Sequence, residues 1–220
     1  MKSLTKFALF AALTFASSTA NAASIATTWT SVAGTTGAGV LNGIDITATS
    51  SATSLFVTPL EANRFIAGGG WDAVGYELQA TDMAIVASEV NAGDSQHFSF
   101  SSSFSGLLYI ENFDSSSIAT VTANGANSLR LLASSPSVSF ESSGADSGTL
   151  SSSNTLFNGE GDAVIGFFGP VTSITLDYTG GEQANGVMYT FAINNPEPSS
   201  AMLGLMAGLG LLSLVRQRRR

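Results

Sequence analysis

Between Ala23 and Asn195 apolar side chains recur at every second residue. In GVMYTFAIN, residues Val187, Tyr189, Phe191 and Ile193 fall on one face, and in SITLDYT so do Ile174, Leu176 and Tyr178. A period of two is the pleat of a β-strand, and it rules out an amphipathic helix, whose apolar stripe repeats every 3.6 residues. The polar, glycine-bearing GGEQANG between these two segments predicts that they form an antiparallel hairpin. HFSFSSSF, GLLYIENF, ATVTAN, SLRLLAS, SVSFESS and DAVIGFFG repeat the theme, separated by Gly, Asn, Asp and Ser clusters at intervals of about 8–12 residues. The expected fold class is all-β, an antiparallel β-sandwich or jelly roll. The segment ELQATDMAIVASEV, residues 77–90, is read as a short helix crossing one end of it.

The two ends carry different patterns. Lys2 and Lys6 precede an apolar stretch over residues 7–15, and small residues then lead to Ala20, Asn21 and Ala22. This is the order of a secretory signal peptide over residues 1–22, with cleavage between Ala22 and Ala23. The apolar stretch is too short for a bilayer core of roughly 30 Å. Near the other end, residues 199–215 hold no charge and, as a helix rising about 1.5 Å per residue, just span a thin membrane. Arg216, Arg218, Arg219 and Arg220 follow at once. Basic flanks stay on the cytoplasmic side, so both signals predict one topology, with residues 23–195 outside and both ends inside.

Pro196 and Pro198 flank Glu197 and hold the chain before the helix extended, because proline fixes its own φ and restricts the residue ahead of it. Pro196-Glu197-Pro198, a glycine-rich apolar helix and an arginine cluster, in that order behind a signal peptide, resemble the PEP-CTERM sorting signal of Gram-negative bacteria. The resemblance covers residues 196–220. It implies that signal peptidase and an exosortase, a membrane-embedded cysteine enzyme, are processing partners. It also implies that the protein is exported across the inner membrane, anchored there transiently, and then released to or held at the cell surface. The logic parallels a GPI signal, whose hydrophobic tail presents the chain for processing and is then lost.

Without its end segments the chain is one domain's worth, 173 residues, with fifteen acids against only Arg64 and Arg130. A net charge of −13 repels phosphate backbones, which excludes nucleic acid as a partner, and it repels anionic membrane surfaces. No cysteine is present, so disulfides, thiolate zinc sites and a cysteine nucleophile are excluded. Serine and threonine supply 45 of the 173 residues, which suits solvent faces of strands whose other faces carry Phe and Val. With no N-x-[ST] sequon, any glycan carried by the domain would sit on hydroxyls.

Candidate chemistry is sparse. GDSQH, residues 93–97, holds the only histidine beside Asp94 and Ser95, but a Ser-His nucleophile needs an acid behind it and oxyanion donors, and no G-x-S-x-G elbow exists. His97 is expected to begin a strand, with Asp94 in the preceding turn. In NGEGD, Asn158, Glu160 and Asp162 alternate with glycines, and oxygens at every second position suit calcium. Ala163 and Gly169 stand where an EF-hand loop has Gly and a bidentate Glu, so the string is not an EF-hand. Trp71 and Tyr76, with Trp29, offer aromatic faces to a glycan; the alternative for each is core packing. These readings predict no resident cofactor apart from that calcium, and no enzyme. They point to an exported structural or interaction protein with extracellular polysaccharide as a candidate partner, and to a secreted calcium-dependent glycan-binding module or polysaccharide hydrolase as alternatives.

Overall fold

The computed structural model describes residues 24–51, 54–59, 76, 78, 82–113, 116–153, 161–180, 182–183 and 186–194. They form fifteen strands and no helix: β1 (Ser24–Ala26), β2 (Thr28–Ala33), β3 (Thr36–Leu41), β4 (Ile44–Ser50), β5 (Ser54–Pro59), β6 (Met83–Ser88), β7 (Val90–Asn91), β8 (Ser95–Phe113), β9 (Ile118–Asn124), β10 (Ser128–Ser134), β11 (Val138–Ser142), β12 (Ser147–Ser152), β13 (Gly161–Gly180), β14 (Glu182–Gln183) and β15 (Val187–Asn194). All pairings are antiparallel. The all-β class is therefore what the alternation dictates. Both end segments lie outside the described residues, and among those described no helix is long and apolar enough to cross a membrane.

Two long strands organise the sheet. β8 has 19 residues and β13 has 20, and they are hydrogen-bonded to each other from Asp177↔Ser95 to Gly161↔Phe113. The first half of β8 also pairs with β4, and its second half with β15. In β13 the early residues pair with β10 and the later ones with β9. One half of the shared pair therefore lies in the run β2-β3-β4-β8-β13-β9-β12-β11, and the other half in β5-β6-β15-β8-β13-β10, with β1 alongside the end of β15. Strands that pass from one sheet to the next do so at bends and bulges. Here the β8–β13 register breaks between Phe167 and Val171, where Gly169 has a φ of 122° and Pro170 lacks an N–H. A Cβ on Gly169 would stand 2.8 Å from the Asn127 nitrogen.

The two halves face each other through aromatic rings. Phe98 and Phe100, in the first run, meet Phe191 of β15 at 4.9 and 5.3 Å between centroids, and Phe104 meets Phe167 at 5.1 Å, all edge to face. Burying each such ring contributes about 1.5–3 kcal/mol, and the edge-to-face geometry adds about 0.5–1.5 kcal/mol per pair. Inside this core the Tyr178 and Tyr189 hydroxyls hydrogen-bond to each other. Burial raises both phenols well above the ordinary tyrosine range; the bond from Tyr189 partly offsets this at Tyr178, whereas proximity to Tyr178 adds to it at Tyr189.

Three expectations need correction. Residues 83–88 of the anticipated helix are β6, whose four central residues are buried as strand residues between β5 and β15. β-branched Ile85 and Val86 there suit a pleated surface, and tertiary pairing overrides the weak helical pattern. The segments HFSFSSSF and GLLYIENF are one strand, β8, and DAVIGFFG and SITLDYT are likewise one strand, β13. Finally, SITLDYT and GVMYTFAIN are not a hairpin, because β8 lies between them, pairing with both, while β14 in their connection pairs with β7.

The tyrosine pair yields a measurable asymmetry. Tyr178→Phe or Tyr189→Phe alone strands a buried hydroxyl and costs about 1–3 kcal/mol, whereas the double variant removes both polar groups and recovers most of that loss in urea unfolding. Raised phenol pKa values mean that the unfolded chain releases protons near pH 10, where the folded chain retains them. Wild-type stability is thus fully present below that pH and falls above it, and the double variant shows a shallower alkaline loss. At the bend, Gly169→Ala lowers stability by about 1–3 kcal/mol in the same assay, through the positive φ and the clash with Asn127.

Candidate functional site

The outward faces of the two runs differ chemically. On the first, register aligns Thr36, Thr49, His97, Thr175, Thr122 and Ser147 in one row across six strands. Each is exposed or half-exposed, while most of their neighbours in sequence, among them Gln96, Phe98, Ile174 and Leu176, are buried. This row takes up five of the domain's 45 serines and threonines. His97 lies within it, its Nδ1 2.9 Å from Thr175 Oγ1. Asp94 is occupied in the preceding turn, accepting from the Asn91 N–H at 2.8 Å and from the Ser51 hydroxyl at 3.1 Å. The structure thus keeps Gly93, Asp94 and Ser95 at a turn and strand start and joins His97 to a threonine.

The second run has an apolar outward face: Ala84, Leu107, Tyr109, Val164 and Ala192 cluster there with Leu78, which is 2 % exposed. The Tyr109 hydroxyl donates to the Tyr76 carbonyl at 2.8 Å, fixing Tyr76 over the sheet. Beside it a cavity of about 260 Å³ is lined by Tyr76, Ser105, Gly106, Leu107, Leu132 and Phe168. Phe168 is 41 % exposed although it lies on a central strand. Gly166 keeps the wall close, since a Cβ there would stand 2.7 Å from Leu132 Cδ1 and 3.0 Å from the Phe168 ring. The Ser105 hydroxyl donates to the Gly169 carbonyl and accepts from the Gly169 N–H, both at 2.9 Å, tying the groove to the bend. Arg130 is directly across from Gly166 in the β10–β13 ladder, so it stands on this same face, exposed, and it is the one lysine or arginine among the described residues.

Of the residues singled out in the sequence, Tyr76 is at this groove. Trp29 is core instead, 6 % exposed and 6.5 Å from Phe98. Asp162 is 4 % exposed, with Oδ1 accepting from the Asn112 N–H at 3.3 Å, and among the described residues no three His, Cys, Asp or Glu side chains are grouped to hold a metal. Its proposed co-ligands Asn158 and Glu160 lie outside the described residues. So do Trp71, the cleavage residues Ala20, Ala22 and Ala23, and the sorting residues Pro196, Glu197, Pro198, Arg216, Arg218, Arg219 and Arg220.

Sequence reasoning missed Phe168 and Arg130. FFG reads as one buried strand end, yet the pleat sends Phe167 inward, fully buried, and Phe168 outward. It also missed the buried acids Glu111 and Asp162, which lie on the paired strands β8 and β13 near Asn112, where a φ of 66° accompanies a shift in the β8–β13 register. Both are almost fully buried, and neither is free. Compared with family models, with curated proteins and with solved structures, the chain matches none of them.

His97→Ala tests the hydroxyl row. Its partner Thr175 is half-exposed and regains a water hydrogen bond, so unfolding stability drops by no more than about 1 kcal/mol. An accompanying loss of any measured hydrolysis would restore the histidine as a catalytic group.

Proposed function

We propose that the protein is an exported component of the bacterial cell surface or extracellular matrix, processed by an exosortase and serving a structural or interaction role there. The observation that carries this reading is the tail, in which Pro196-Glu197-Pro198, an uncharged run over residues 199–215 and four arginines follow one another. An apolar helix capped by cations halts an exported chain in the bilayer and presents the extended proline segment for cutting. The amino-terminal signal over residues 1–22 supplies the entry to that route. In this reading residues 23–195 are a β-sandwich made by folding one sheet over at the shared strands β8 and β13, a connection that supports the sandwich over the jelly roll. The absence of lysine from the domain and its fifteen acids support a soluble surface that repels other anionic polymers.

A second reading, a glycan-binding module, is favoured by the Tyr76–Phe168 groove. Among the described residues that line the groove none is a carboxylate, which supports binding over glycoside hydrolysis, a reaction that needs two acids about the scissile bond.

Mass spectrometry of protein recovered from the native host's envelope and medium tests the main reading. The expected result is a first residue at Ala23 and no peptide beyond Leu203; an intact tail at the final location shows that processing is not its role.

A further inference from the structure

We propose that the groove between Tyr76 and Phe168 binds the pyranose units of a neutral polysaccharide, with Arg130 as the hydrogen-bond donor at its edge. The inference rests on the glycan-binding reading and names its ligand class. A sugar ring has an apolar C–H face and a polar rim, and it binds best where an aromatic surface meets water. The groove has that form: two aromatic side chains, a floor of Leu107 and Leu132, and a hydroxyl from Ser105 at its exposed side. Its volume of about 260 Å³ lies at or below the lower end of sites for drug-sized ligands, a scale suited to one or two rings of a chain that continues along the surface. A lipid tail would require an enclosed apolar tunnel, whereas Phe168 is 41 % exposed.

Charge selects among polysaccharides. Arg130 is exposed and has no hydrogen bond or ion pair with any described residue, so its five N–H donors are available to ring and hydroxyl oxygens. One guanidinium does not reverse the potential of a domain carrying fifteen acids and two bases, and a polyuronate or sulfated chain crossing this surface is repelled. A neutral chain pays no such cost. The register shift also positions the groove: Ser105 holds Gly169, and Gly169 follows Phe168, so the exposed ring stands beside the shift in the β8–β13 ladder.

Affinity electrophoresis of the full-length protein in mild detergent, in native gels containing dextran, xyloglucan, galactomannan or polygalacturonate, provides the test. Retardation is expected in at least one neutral gel and unchanged by added salt. Tyr76→Ala and Phe168→Ala each weaken it about tenfold, Phe168→Trp preserves it, and Arg130→Ala weakens it severalfold. Melting curves of each variant identify any that fails to fold, and the exposed position of Phe168 keeps at least that variant informative. Three outcomes overturn the proposal: no retardation in any neutral gel, equal retardation of wild type and both alanine variants, or retardation by polygalacturonate alone that fades with salt. Retardation by a neutral gel without any effect of Arg130→Ala removes the donor role. Failure here leaves the exported surface reading standing, and a chain that binds sugar but stays in the cytosol with both ends intact overturns that reading instead.

Discussion

The domain depends on the continuous hydrogen-bonded ladder between β8 and β13. Buried backbone N–H and C=O groups must be paired within the protein, and these strands of 19 and 20 residues pair with each other along one edge and with β4 and β15, or β9 and β10, along the other. Because each half recruits different outer partners, β4 and β9 on one side and β15 and β10 on the other, the bend holds both faces of the core in place. The register shifts near Gly169 and Pro170 and again beside Gly161, and the ladder resumes after each.

Without cysteines, no disulfide reinforces the domain, and this ladder and the aromatic cluster it encloses are what hold it together. Phe98, Phe100, Phe104, Phe167 and Phe191 converge because alternate residues of β8, β13 and β15 all face inward at the bend. Hydroxyls take the opposite positions on the first run, giving a solvated sheet face with little charge in its central row. The second run has no such wet face. Its outward side is apolar, is overlain by Leu78 and the anchored Tyr76, and ends in the groove. The asymmetry is one of burial: one face meets water, while Ala84, Leu107, Tyr109, Val164 and Ala192 on the other are almost wholly buried.

The groove shows why a site can escape a linear reading. Tyr76 is legible as a candidate aromatic face, but Arg130 and Leu132 lie on β10 and Phe168 on β13, all more than fifty residues along the chain from Tyr76, and only strand register brings β10 and β13 together. Trp29 has the same aromatic chemistry and an equally plausible sequence setting, yet it is buried against Phe98. Exposure, the property that separates a binding ring from a core ring, is decided by which side of the pleat faces a second layer.

Alternation determined that the described segments of the domain are strands, that their core is rich in Phe and Val, and that most of their Ser and Thr lie on the other faces, since a period of two is the pleat of a strand. Composition determined the acidity and the absence of disulfides, and the order of motifs at the two ends determined the expectation of export. Only the tertiary structure decided that neighbouring segments merge into two long bent strands, that β8 separates β13 from β15, that residues 83–88 extend rather than coil, and that Phe168 is outside while Phe167 is inside. Pairing between distant strands is set by the combined burial of both faces and by backbone hydrogen bonds across the whole sheet, and no local stretch of sequence contains that sum.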